Sequence, residues 1–121
     1  MNRHIILLSA LFFIFFSCKQ NKDELTTVKE PVNLISTEKM IDLITEVHIA
    51  EALIIQRQTH GQNVPYYTAL YFKTILKKFN ITRKEFYENM EYYSYDSKKL
   101  DDIYTEVITN LTKKQTEISL K

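Results

Sequence analysis

Residues 96–111, DSKKLDDIYTEVITNL, decide the fold class of this chain. The apolar residues recur at intervals of three and four, which places them on one face of an α-helix and the charged residues on the other. Either Asp96 or Ser97 caps the start of this helix. The apolar stripe is the clearest in the sequence and consists of Leu100, Ile103, Tyr104, Val107, Ile108 and Leu111. The segment therefore predicts an amphipathic helix that packs against a core.

Two earlier helices are predicted on the same grounds. The first follows Ser36, a good N-cap, and carries apolar residues at helical spacing to about Gln58. Residues 59–63 contain the only glycine in the chain and form the natural turn, and Pro65 suits the first turn of the next helix. The two helices are therefore joined by a short connection.

A third helix begins at Thr82. Thr82 and Glu85 have the spacing of a capping box, in which the hydroxyl and the carboxylate each satisfy a backbone N–H. One Gly and two Pro in 121 residues argue against an all-β fold, which needs frequent turn residues. We therefore predict an all-α domain, a small bundle of about four helices over residues 36–115, with residues 116–121 as a frayed tail.

Composition and charge exclude several kinds of site. A single Cys cannot form an internal disulfide, a Cys-based zinc site or an iron–sulfur cluster. Lys and Arg number 16 against 15 Asp and Glu, and the basic pairs are interleaved with acids. Because no basic stripe results, we expect no nucleic-acid partner.

The N-terminus has the pattern of a targeting segment. Arg3 precedes the apolar stretch 5–16, which is shorter than the roughly 20 residues that a membrane-spanning helix needs. The stretch ends at Ser17 and Cys18, a small residue directly before the only cysteine. Lipoprotein processing requires a cysteine at this place. We therefore predict a cleaved signal peptide over residues 1–17.

The run Phe15-Phe16-Ser17-Cys18 resembles the bacterial lipobox, with Phe15 where Leu is usual. The resemblance implies cleavage before Cys18 and a covalent diacylglycerol and N-acyl lipid on this residue; no other cofactor is expected. An ordinary secreted protein and an uncleaved anchor are the alternatives. Residues 18–35 are polar and contain Pro31, which predicts a flexible tether. Lys19, and not Asp, follows the cysteine. Under the sorting rule of enterobacterial lipoproteins, which the resemblance implies, this favours the outer membrane, facing the periplasm, over the inner membrane.

Glu46, His48 and Glu51 form the one polar cluster that is a candidate site. His48 and Glu51 share a helix face at i, i+3, so they are weak candidates for metal ligands or for binding a small ligand. The structural alternative is that His48 packs at a helix seam and bonds to Glu51 or to a tyrosine hydroxyl. No nucleophile arrangement or phosphate loop is found, so we assign no catalytic residues.

Tyrosines are unusually frequent near two predicted helix ends. Their number exceeds what a small core can satisfy, so some are expected to reach solvent. They form a candidate partner surface, and packing at the edge of the core is the alternative. The surface comprises Tyr66, Tyr67, Tyr92, Tyr93 and Tyr95.

Three segments carry a family resemblance. Residues 46–52, EVHIAEA, residues 77–82, KKFNIT, and residues 92–94, YYS, with the apolar residues after them, resemble a family of small bacterial envelope lipoproteins with a helical domain of unknown function. The match spans residues 31 to 111, with Glu46 where the family has Asp. The resemblance implies location and size but no activity. We therefore expect a membrane-anchored, non-enzymatic binding or accessory module with an envelope protein partner; the alternative is a metal or small-ligand binding protein.

Overall fold

The computed structural model describes residues 28–120, and this part of the chain contains four α-helices and no strand. The predicted all-α bundle is thereby confirmed. The predicted signal peptide and Cys18 lie outside the described residues. The helices are α1, Thr37–Thr59; α2, Val64–Phe79; α3, Arg83–Tyr95; and α4, Ser97–Ser119.

Each helix begins at a polar side chain that accepts a hydrogen bond from a backbone N–H three residues further on. The predicted capping box is present: Glu85 Oε2 accepts from the Thr82 backbone N–H at 2.7 Å, and Thr82 Oγ1 accepts from the Glu85 N–H at 3.2 Å. Of the two candidate caps for α4, Asp96 fills the role. The four caps are Ser36, Asn63, Thr82 and Asp96.

The two longer connections each contain one residue in the left-handed region. Gly61 has φ +66° in the turn between α1 and α2. Glycine adopts this conformation readily because it has no Cβ. Asn80 has φ 51° directly after α2, a conformation that asparagine adopts more easily than most residues. These residues allow α1, α2 and α3 to follow one another with short connections.

Helix α1 is the central element of the bundle and packs against both α2 and α4, while α3 packs against α4. Glu46, in the first half of α1, contacts Lys78 at the end of α2 and Lys114 in the second half of α4. His48, later in α1, lies beside Tyr104, earlier in α4, so α4 runs antiparallel to α1. The short connection between α1 and α2 makes α2 antiparallel as well. The core lies between these helices and consists of Ile35, Met40, Leu43, Ile44, Ile75, Phe86, Tyr93, Ile103 and Val107.

The packed domain begins before residue 36. Asn89 of α3 is completely buried; its side chain accepts from the Ile35 N–H at 2.8 Å and donates to the Asn33 carbonyl at 3.0 Å. Tyr93 donates to the Ile35 carbonyl at 2.6 Å, and Ile35 itself is buried. Residues 33–35, which the sequence assigned to the tether, are therefore held against α3, because Asn89 replaces their hydrogen bonds to water.

Helix α4 differs from the prediction in two respects: where it ends, and how much of its apolar stripe is buried. Helix α4 continues to Ser119, so residues 116–119 are helical and not a frayed tail. Its apolar stripe is narrower than predicted: Ile103 and Val107 are buried, whereas Ile108 is 63% exposed. The reason is that α1 and α3 cover one face of α4 only.

Candidate functional site

A large groove opens over α1, with α2 on one side and α3 on the other. Its volume is about 740 Å³, and pockets for small ligands typically have roughly 300–1,000 Å³. Ile44, Val47 and Ile54 contribute from α1, and Tyr104 of α4 also lines the groove. The remaining apolar lining comes mainly from α2 and α3 and includes Val64, Pro65, Ala69, Phe72, Ile75, Phe86, Tyr87 and Met90.

The groove exists because α2 and α3 do not pack along their lengths, although they are consecutive. They meet through aromatic rings: the Phe72 ring lies 5.4 Å from the Phe86 ring, edge to face, and 6.4 Å from the Tyr87 ring. Apart from this contact the two helices touch little, and part of α1 lines the groove between them. Tyr87 is half exposed at the groove, which leaves its ring available to a ligand.

Arg83 brings a positive charge to the groove. It is the first residue of α3, and its guanidinium carbon lies 4.7 Å from the centre of the Phe72 ring. Stacking on an aromatic face is a favourable position for a guanidinium group. Among residues 28–120, no carboxylate lies within ion-pair distance of Arg83. The arrangement can therefore receive an anionic group from a ligand.

His48 and Glu51, predicted as a polar pair, lie together on the groove wall. His48 Nδ1 is 2.8 Å from Glu51 Oε2, and the imidazole ring lies 6.0 Å from the Tyr104 ring. The bond to Glu51 is the one that the structural alternative expects, and both side chains also reach solvent. Within the described residues, no group of three or more metal-binding side chains surrounds the pair.

Glu46 lies apart from His48 and Glu51, although the sequence placed all three in one cluster. Two positions along a helix correspond to a rotation of about 200°, so Glu46 and His48 face different sides. Glu46 Oε1 lies 3.1 Å from Lys78 Nζ and 3.3 Å from Lys114 Nζ. Partial burial raises the pKa of Glu46, but the hydrogen bonds and charges of the two lysines outweigh burial and hold the pKa below its usual value. Glu46 is therefore a bridge among α1, α2 and α4.

The predicted tyrosine surface is only partly present. Tyr93 is 2% exposed and belongs to the core, so its assignment to a surface is wrong; its hydroxyl is satisfied by the Ile35 carbonyl. Tyr92 is half buried and packs against Tyr93, with the ring centres 5.5 Å apart. Tyr66 and Tyr95 are 58% and 50% exposed. Tyr66 contacts Tyr67 on α2, whereas Tyr95 ends α3.

Several groove residues were not singled out by the sequence. Arg83 and Lys84 form one of the basic pairs of the sequence, and nothing in the local pattern distinguishes the two. Ala69 of α2 and Ala50 of α1 both line the groove, and their small side chains take up little of its space. An alanine in a helix indicates a groove only when the helices that face it are known.

A family model with the description domain of unknown function (DUF4296) matches residues 31–117. This confirms the predicted resemblance to a family with a domain of that kind. No curated protein and no solved structure is significantly similar to the chain. Within residues 28–120, every helix is too short or too polar to cross a membrane.

Proposed function

The chain belongs to the DUF4296 family of domains of unknown function, and from this premise we propose that it is a lipid-anchored, non-enzymatic binding module of the Gram-negative cell envelope. Its binding element is the groove over α1. The apolar groove of about 740 Å³ is the observation that carries the proposal, because such concave apolar surfaces with a few polar groups are the usual form of ligand sites.

The groove also fits the alternative function, the binding of a small ligand by His48 and Glu51. A small-ligand binding protein that uses His48 and Glu51 needs a cavity beside these residues, and both line the groove. In this account they provide a polar contact on the wall, and the apolar surface provides most of the contact area. The two interpretations therefore describe one site.

The anchor is supported by the sequence. Ser17 and Cys18 end an apolar stretch of signal-peptide length. Because packing begins at Asn33, residues 18–32 act as the tether, and 15 residues reach at most about 50 Å when fully extended. Asn33, where the domain begins, then stays within this distance of the membrane, which we propose to be the outer membrane on its periplasmic side.

Two exposed tyrosines, at the start of α2 and at the end of α3, offer further contact area, which we propose for an envelope protein. Tyr66 and Tyr95 each expose about half of their area. Tyrosine provides a large, rigid contact area at interfaces at low cost in conformational entropy. This surface is reduced from the predicted five tyrosines, because Tyr93 is buried.

The anchoring part is tested by metabolic labelling of the tagged protein with a clickable palmitate analogue, followed by membrane fractionation. The wild-type chain is expected to incorporate label and to sediment with the outer membrane. Cys18→Ala should lose both the label and the normal processing. A wild-type chain that carries no label would contradict the anchor.

The binding part is tested by affinity purification of the lipidated protein from gently solubilised envelopes. Protein and lipid fractions of the eluate are both analysed by mass spectrometry. We expect one stoichiometric component that is absent when Ala69 is replaced by Phe, since the added ring occupies the groove. Recovery of the same components with both proteins would contradict a role for the groove.

A further inference from the structure

We propose that the groove binds a single-chain amphiphile with an anionic head group, of the fatty-acid type, with the head at Arg83 and the hydrocarbon chain over α1. This inference rests on the proposed function and specifies its ligand. Membranes contain such amphiphiles, so a protein tethered to one has access to them.

The shape and lining of the groove favour a hydrocarbon chain. The floor runs along α1 from Ile44 to Ile54, and ten helical residues span about 15 Å. Aliphatic side chains and phenylalanine rings form most of this surface, so it offers few hydrogen bonds to a polar ligand. Burial of a flexible apolar chain removes its surface from water at roughly 25 cal/mol per Å².

The position of the head group follows from the charges. Arg57 is engaged elsewhere: its Nε donates to the Tyr71 hydroxyl at 3.2 Å, and its Nη1 donates to Gln62 at 3.1 Å. Glu51, the acidic residue of the groove, is held by His48. Within residues 28–120 the Arg83 guanidinium stacks on Phe72 and forms no ion pair. Its donors can therefore bind a carboxylate or phosphate, which a guanidinium group binds with two parallel hydrogen bonds.

The charge also distinguishes this ligand from the lipid predicted on Cys18. A thioether-linked diacylglycerol and an N-acyl amide have no anionic group, so they leave Arg83 without a counter-ion. A free fatty acid provides both a carboxylate for Arg83 and a hydrocarbon chain for the apolar floor of the groove. The groove is therefore assigned to a free amphiphile and not to the chain's own anchor.

Photo-cross-linking of the full-length, lipidated protein in phosphatidylcholine vesicles tests the assignment. The probes are a diazirine fatty acid and the fatty alcohol of identical chain length and diazirine position. Labelled peptides are mapped by mass spectrometry. We expect the fatty acid to label α1, α2 and α3 at the groove, and the alcohol to label them more weakly.

Two variants isolate the role of Arg83. Arg83→Gln should lower labelling by the fatty acid roughly tenfold, the effect of losing a charge-assisted hydrogen bond. Lys84→Gln is the matched control, because Lys84 is the adjacent cation, lies 3.6 Å from Glu88 and does not line the groove; labelling should be unchanged. Ala69→Phe should reduce labelling by both probes.

Three results would overturn the inference. They are equal labelling of wild type and Arg83→Gln, labels that map outside the groove, and strong labelling only after Cys18→Ala, which would identify the chain's own lipid as the occupant. If Ala69→Phe still removes a co-purifying protein in any of these cases, the groove is a binding site for a polypeptide. The proposed function would then stand without the amphiphile.

Discussion

At the scale of single residues, Asn89 and Tyr93 define where the domain begins. Both are buried on one face of α3, and together they satisfy the backbone of Asn33 and Ile35. A buried backbone group without a partner costs about 1–3 kcal/mol. These two side chains therefore attach the incoming chain to the bundle.

Replacement of Tyr93 by Phe is expected to lower the free energy of unfolding by about 1–2 kcal/mol, because the Ile35 carbonyl loses its donor. Tyr95→Phe is the matched control: Tyr95 is half exposed, and such surface changes usually stay within about 0.5 kcal/mol. Urea denaturation followed by circular dichroism measures both. Equal midpoints for the two variants would show that the hydroxyl of Tyr93 does not hold the segment.

Residue types alone did not reveal these roles. Asn89 lies between Phe86 and Tyr93 on one helix face, but an asparagine in a helix is more often exposed, and its partners are more than 50 positions away in the chain. The burial of Tyr93 was missed for the same reason, because its partner Ile35 is also distant in the sequence. Conversely, the pair His48 and Glu51 was predicted correctly because its i, i+3 contact is local.

At the scale of helices, end signals were the most informative part of the sequence. Ser36 and the capping box of Thr82 with Glu85 were identified from their spacing and residue types, and Asp96 was one of two candidate caps for α4. The Asn63 cap of α2 was not predicted. Caps are predictable because they depend on three or four neighbouring residues. The buried face of a helix is harder to predict, because burial depends on which other helices pack against it. Ile108 is an example: it belongs to the predicted apolar stripe but is exposed.

Thr82→Ala is expected to destabilise the protein by about 1 kcal/mol, since the Glu85 N–H loses its acceptor at the start of α3. Thr74→Ala, in the middle of α2 on an exposed position, serves as the control and should be neutral or slightly stabilising. Both midpoints are measured by thermal and urea unfolding. A Thr82→Ala midpoint equal to that of the control would argue against the capping box.

Stability is expected to fall in acid, in part through Glu46. Its pKa is lowered from 4.5, so the ionised form is favoured in the folded state. The contribution is complete above the unfolded pKa and is lost as the pH falls through the lower, folded pKa. Glu46→Gln should therefore lose about 0.5–1 kcal/mol at pH 7 and show a smaller further loss between neutral pH and pH 3. Unfolding titrations at several pH values measure this; parallel pH profiles would contradict the lysine bridge.

At the scale of the whole molecule, a small core holds four helices together. Ile103→Ala removes a fully buried side chain of α4 and should cost about 2–5 kcal/mol. Ile108→Ala removes the same side chain from the same helix at an exposed position, so a change below about 0.5 kcal/mol is expected. Chemical denaturation distinguishes the two. Similar losses for both variants would mean that α4 is packed on another face.

The groove is the feature that the sequence could not predict. Helix number, order and caps are local properties, and short connections favour antiparallel neighbours. Whether consecutive helices also pack along their lengths depends on side chains from all four helices. Here α2 and α3 are separated beyond the contact of Phe72 with Phe86 and Tyr87. The gap over α1 is therefore a property of the assembled fold.

The central claim is that the anchored domain binds through this groove. The most direct test compares what the wild-type protein retains from solubilised envelopes with what Ala69→Phe and Thr74→Phe retain, in equal amounts of folded protein. Thr74→Phe adds the same ring to α2 at a position that does not line the groove. We predict that wild type and Thr74→Phe retain the same stoichiometric component and that Ala69→Phe loses it. Equal retention by all three proteins, or no retained component with any of them, would contradict the account.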